Sequence, residues 1–140
     1  MLLVEKHCIR KVDVMIGVKV ENNCSKLEAT LKKAKDKKQI MSLLKKYGEI
    51  GVKRLKSATP VKSSKTANSW AYEITNKGND YSIHFYNTNV VNGTNIAILL
   101  QYGHGTRRGG YVQGIDYINP AVKSTFEEMT NELIKEVGRL

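Results

Sequence analysis

Apolar and polar positions alternate in three stretches of the chain and recur at helical spacing in three others. Val14, Ile16, Val18 and Val20 alternate with Met15, Gly17, Lys19 and Glu21, the two-residue period of a half-buried strand, and Asn22-Asn23 ends it. Ser25, with Glu28 three residues on, forms a capping box that opens a short amphipathic helix carrying Leu27, Leu31 and Ala34. A longer helix is predicted from Lys38 to Ser57. Ile40, Leu44, Tyr47, Gly51 and Leu55 fall on one of its faces at steps of three and four, with Lys45, Glu49, Lys53 and Lys56 opposite. Glu49 to Lys53 is the favoured orientation for an ion pair one turn apart. Gly48 and Gly51 each weaken such a helix by up to about 1 kcal/mol relative to alanine, so they mark a bend or a close approach by another backbone.

Pro60 ends the helical stretch, because it disfavours helical geometry at Thr59, and Lys62 to Thr66 reads as a polar loop. Trp70, Tyr72 and Ile74 alternate with polar neighbours, and so do Tyr81, Ile83 and Phe85. The turn formers from Asn76 to Asp80 join them into an antiparallel hairpin. Asn87 to Asn95, with four asparagines and one glycine, reads as a loop. Ile96 to Tyr102 is apolar but too short to type by period, and Gly103 to Gly114 is a glycine-rich loop. Asn119 as cap and Pro120 in the first position suit a last helix, whose stripe is Val122, Phe126, Met129, Leu133 and Val137, with Gly138 ending it.

These elements predict one α+β domain over residues 14–140, a small antiparallel β-sheet of three to four strands packed against the long middle helix and the C-terminal helix. Residues 1–13 show no clean period and are set apart as an N-terminal extension, expected to be poorly ordered. A length of 140 residues suits one domain with one core. No apolar run approaches the roughly 20 residues that span a bilayer, so no membrane contact is expected. The opening Met1 to Val4 meets Glu5, Lys6 and His7 too soon for a secretory segment.

Charge alters the picture more than composition does. The net charge is +10, and it is lopsided: residues 1–70 hold 17 Lys/Arg against 6 Asp/Glu, residues 71–140 hold 6 against 7. A lysine run through Lys32, Lys33, Lys35, Lys37 and Lys38 continues in Lys45, Lys46, Lys53, Arg54 and Lys56. Such a surface fits an acidic partner, either nucleic acid or an acidic protein face. Lys32, Lys33, Lys45, Lys46, Lys53, Arg54 and Lys56 form the candidate electrostatic contact face. No helix-turn-helix spacing, ribonucleoprotein motif or zinc pattern accompanies it, and the commonest role of a lysine run is a solvated helix face.

Candidate chemistry concentrates in Gln101 to Tyr111. Glycines there would let backbone N–H groups approach an anion that Arg107 and Arg108 neutralise. Yet Gly103, Gly105 and Gly109 match neither a P-loop nor a dinucleotide fingerprint, and no helical pattern follows them. His104, between two glycines, could bond across a turn, serve an interface or act as a base. Asp116 is the nearest acid, and no spacing assembles a nucleophile, base and orienting acid or a metal site. No cofactor is expected. Cys8 and Cys24 fit no common zinc spacing and read as reduced thiols.

Three phrases in order carry a family likeness: Ala58-Thr59-Pro60-Val61 after a helix, Thr66-Ala67-Asn68-Ser69-Trp70 entering a strand, and Leu100-Gln101-Tyr102-Gly103-His104-Gly105-Thr106 ahead of Asn119-Pro120-Ala121. The chain resembles, over Met15 to Val137, the head–tail joining proteins (neck or tail-completion components) of tailed phages and prophages. It departs from their pattern in having Lys62-Ser63-Ser64 where an Asp and a Gly are usual, and Gln101 where Glu is frequent.

The resemblance implies a structural virion-assembly protein, not an enzyme, acting by subunit contacts at the head–tail junction. Its expected partners are copies of itself, in a ring in the assembled particle and as a monomer or ring in solution, together with connector or adaptor and tail-tube or tail-terminator proteins. The expected location is the host cytoplasm during assembly and then the virion. Tyr102, Gly103, His104, Gly105, Thr106, Arg107, Arg108 and Tyr111 are the expected interface loop. The alternative reading is a basic DNA-binding accessory protein of phage or prophage origin, making non-specific DNA contacts.

Overall fold

The computed structural model describes residues 2–6, 15–20, 37–60, 64–77 and 80–137. The expected helix over Ser25 to Ala34, both cysteines, Lys32 and Lys33 lie outside these residues.

The protein is α+β. The long middle helix, α1, runs Lys37–Ala58, within one residue of its predicted ends. Its apolar stripe of Ile40, Leu44, Tyr47 and Leu55 is buried. Thr59 closes the helix: its N–H and its hydroxyl both donate to the Leu55 carbonyl, at 3.0 and 2.6 Å. The same hydroxyl accepts the Trp70 indole N–H at 2.9 Å, which fixes where the next strand starts.

β3 (Trp70–Lys77) and β4 (Asp80–Asn87) form the predicted antiparallel hairpin, with Trp70 opposite Asn87 and Lys77 opposite Asp80. Two strands precede them in the chain, β1 (Leu2–Lys6) and β2 (Met15–Val20). β1 pairs antiparallel with β2, and β2 with β4, giving a four-stranded sheet in the order β1-β2-β4-β3. Leu2–Lys6 is therefore a strand within the stretch that the sequence sets apart as an extension. Five residues are too few to show a period, and it is the ladder with β2 that defines them.

α1 and the C-terminal helix α4 (Ile118–Val137) build the core with β3 and β4. Leu55, Trp70, Ile83, Phe85, Tyr117, Ile118 and Val122 form one buried cluster, and Ile40, Leu44, Tyr47, Met129 and Leu133 a second. The Phe85 and Phe126 rings meet edge to face, centroids 6.3 Å apart. Gly48 and Gly51 explain how closely α1 lies on the sheet: a Cβ at Gly48 would collide with the Tyr72 ring, and one at Gly51 with the Phe85 ring. The close neighbours are aromatic side chains, where the sequence suggested a bend or a second backbone.

Two stretches read as loops and one left untyped hold short regular structure. Ser64–Asn68 is a short helix, α2, which overlaps the polar loop expected over Lys62 to Thr66. The asparagine-rich run contains a tight hairpin, β5 (Val90–Val91) and β6 (Thr94–Asn95), turned by Asn92 and Gly93 at φ of +50° and +77°. Both turn residues in the left-handed region is the geometry that an Asn-Gly pair favours. Ile96–Tyr102 forms a helix, α3, capped by the Asn95 side chain, which accepts the Ala97 N–H at 3.0 Å.

The asparagines are structural. Asn87 donates to the Thr66 carbonyl at 2.7 Å, Asn89 to the Thr66 hydroxyl at 2.9 Å, and Asn95 to the Asn87 carbonyl at 2.8 Å. All four of these residues are buried, so the network ties α2, the end of β4 and the start of α3 together.

Candidate functional site

The glycine-rich segment after α3 is a β-hairpin arm: β7 (Gly103–Gly105) pairs antiparallel with β8 (Tyr111–Gln113). Its turn follows from its residues. Thr106 N–H donates to the Gly110 carbonyl at 2.7 Å, Gly109 N–H donates back to the Thr106 carbonyl at 3.1 Å, and Gly109 has φ of +81°. A turn closed by a left-handed glycine is a standard three-residue hairpin loop, and it leaves Arg107 and Arg108 at the tip.

Both ends of the arm are held. Gly103, at φ +80°, caps α3 by donating to the Leu99 carbonyl, and a Cβ there would strike the Val112 carbonyl. The Tyr111 hydroxyl donates to the Tyr102 carbonyl at 2.8 Å, and Ile115 N–H donates to the Leu100 carbonyl at 2.9 Å. Past the arm, the buried Gln101 amide receives the start of α4. Its Oε1 accepts the Tyr117 and Ile118 N–H groups at 3.1 and 3.0 Å, and its Nε2 donates to Asp116 Oδ1 at 2.5 Å. α4 thus starts earlier than the Asn119 cap predicted. Gln101 supplies the acceptor, and Asn119 sits in the first turn donating to Asp116 at 2.9 Å.

The arm's outer surface mixes apolar and cationic character. Every residue from 105 to 113 is exposed. Tyr111 is 64% exposed, Ile115 57%, Tyr102 50% and Val112 47%. Two arginines beside a cluster of exposed aromatic and aliphatic side chains is the composition of a protein-binding surface. The hairpin therefore carries Gly103 to Arg108 and Tyr111, with Tyr102 at its base as the last residue of α3. The sequence missed Val112 and Ile115, because nothing in an unpaired loop distinguishes inward from outward positions.

His104 sits in β7 opposite Val112, partly buried, its Nδ1 shielded from solvent and without a hydrogen-bond partner among the described residues. Asp116 is occupied by Gln101 and Asn119. Among the described residues no three His, Cys, Asp or Glu side chains gather as metal ligands.

The candidate electrostatic face divides in two. Arg54 turns towards α4, where its Nη2 meets both oxygens of Glu128 at 2.7 and 2.8 Å and its Nη1 reaches the Ser124 and Thr125 hydroxyls at 3.3 and 3.4 Å. Lys46 meets both oxygens of Glu132 at 2.7 and 2.8 Å. The Tyr47 hydroxyl donates to the same carboxylate at 2.5 Å. Burial, aided by that carboxylate, pushes the Tyr47 phenol up to about 12, while the hydrogen bonds from Lys46 and Tyr47 hold Glu132 below its ordinary value. Lys46 and Arg54 thus fasten α1 to α4, whereas Lys45, Lys53 and Lys56 are exposed. Glu49 and Lys53 form no ion pair with each other, contrary to expectation; ion pairs among the described residues include Lys46–Glu132, Arg54–Glu128 and Lys123–Glu127.

The α+β core carries an exposed hairpin arm with cationic and apolar side chains. The model of the HK97-gp10-like family, described as "Bacteriophage HK97-gp10, putative tail-component", matches residues 24–104, and the chain belongs to that family. It is a structural protein of the phage tail. No curated protein and no solved structure shows a significant match. Among the described residues no helix is long and apolar enough to cross a membrane.

Proposed function

We propose that the chain joins head to tail as a structural component of the phage neck, assembling into a ring through subunit contacts in which the arm is the principal grip. Membership of a phage tail-component family supports the class. The observation that carries the contact role is the exposed tip of Arg107 and Arg108 beside Tyr102, Tyr111, Val112 and Ile115 on a hairpin anchored at both ends. A ring subunit uses two different faces in a contact that closes by rotation, and a projecting arm suits one of them. Its neighbours in the particle would be connector or adaptor proteins on one side and tail-tube or tail-terminator proteins on the other. It would be made in the host cytoplasm and end in the virion.

Replacing Arg107 and Arg108 together by alanine is expected to block joining of heads to tails while leaving the circular dichroism and melting of the purified chain unchanged. Normal yields of joined particles from that variant would refute the role given to the arm.

A second reading, non-specific DNA contact, draws on exposed Lys45, Lys53 and Lys56. It predicts tight duplex binding whose affinity falls steeply with salt. With Lys46 and Arg54 paired to Glu132 and Glu128 of α4, the unpaired cationic surface on α1 is smaller than the sequence suggested.

A further inference from the structure

The arm is a protrusion, and a head-to-tail contact between identical chains also requires a recess. Between α1 and β3 lies a groove of about 420 Å³, open to solvent and lined by Glu49, Val52, Lys53, Trp70, Ala71 and Tyr72. Most of its lining is apolar, and the buried Trp70 borders it. β3 is an edge strand, with no strand on its outer side among the described residues. Such an edge offers unpaired ladder groups to an incoming strand. Glu49 stands in the wall of the groove, exposed and without an ion pair among the described residues.

We infer that this groove receives the arm of a second copy of the chain. The inference rests on reading the arm as the interface. β8 runs along the open side of β3, the face of β8 that carries Tyr111 covers Tyr72, and the arginine tip faces Glu49. Each half supplies what the other lacks. The arm has exposed apolar side chains and cations, and the groove has an apolar lining and, among the described residues, a strand edge and a carboxylate without partners. Lys53, one turn from Glu49 on the same wall, opposes the tip and limits the affinity of the contact.

That opposition gives the test two signs. The purified full-length chain is followed by sedimentation velocity over a rising concentration series, with fluorescence of Trp70, the only tryptophan, reporting on the groove. Wild type is expected to associate with a concentration-dependent change in Trp70 emission. Glu49→Arg is expected to raise the dissociation constant about tenfold or more, as like charges meet, and Lys53→Glu to lower it. Mixing Glu49→Arg protein with an Arg107→Glu, Arg108→Glu variant should restore the association each lacks alone.

Association that needs the arginines but ignores Glu49→Arg and leaves Trp70 emission unchanged would overturn the groove while keeping the arm as an interface. Weaker association of Lys53→Glu, or none by wild type at any concentration, would overturn it too. The head–tail joining test of the arm variant is independent of either outcome.

Discussion

The Gln101 side chain donates to Asp116 at 2.5 Å while its carbonyl oxygen accepts the Tyr117 and Ile118 N–H groups at the start of α4. One buried amide thus acts as donor and acceptor at the root of the arm, a combination that a carboxylate cannot supply.

Gln101→Glu should therefore destabilise the protein at neutral pH by about 1–3 kcal/mol, since it removes a buried donor and sets a second carboxylate against Asp116. Burial and the facing charge raise the folded-state pKa of the introduced carboxyl above its unfolded value. The variant should recover stability relative to wild type as the pH drops below that raised value and a proton restores the donor. Urea midpoints of both proteins at pH 7 and pH 5 check this. A constant difference between them would contradict it.

Gly51→Ala tests the close packing of α1 on the sheet. Helix propensity alone would make the change favourable by about 1 kcal/mol. Collision with the Phe85 ring should reverse the sign, costing about 1–3 kcal/mol as overpacking. Adding Phe85→Leu should cost less in the Gly51→Ala background than in wild type, measured as a double-mutant cycle in urea.

The junction of α1 with α4 should shape stability at both ends of the pH range. Glu132 has its carboxyl lowered from 4.5, so its contribution is complete above that value and is lost as pH falls through the lowered one. Tyr47 and Tyr117 are each raised from 10.0 to about 12, chiefly by burial, so their contribution is complete below pH 10 and is lost as pH rises towards 12. Chemical denaturation across pH should show Glu132→Gln flattening the acid limb, and Tyr117→Phe flattening the alkaline one.

Long periodic stretches were legible in the sequence. α1, the β3–β4 hairpin and the stripe of α4 each repeat often enough for the period to exceed local noise. Seven residues of α3 could not do so, and five of β1 could not. The asparagine run misled for a different reason. Asn87, Asn89 and Asn95 have the composition of a solvated loop, yet they are buried: Thr66, distant in sequence, accepts from Asn87 and Asn89, and the Asn87 carbonyl accepts from Asn95. Asn92-Gly93 was a readable hairpin signal, hidden among the other asparagines.

The family likeness and the tip of the candidate site were visible as motifs, but the hairpin form of that site was not. The pairing of β7 with β8 depends on the Gly109 turn and on space that only glycine at 103 leaves. The fates of the lysines were equally hidden. Lys45 and Lys46 are neighbours in sequence, and only the arrival of Glu132 on α4 separates a solvated cation from a paired one.

Because the arm leaves the core between Tyr102 and Ile115, a pull on its tip enters through α3 on one strand and through the lead into α4 on the other. Gln101 bridges those two entry points, and α4 is fastened to α1 by Arg54 and Lys46. A load on the tip would thus be shared by three helices before it reached the edge of the sheet, so the anchorage of the arm is spread through the core and does not rest on the hairpin alone.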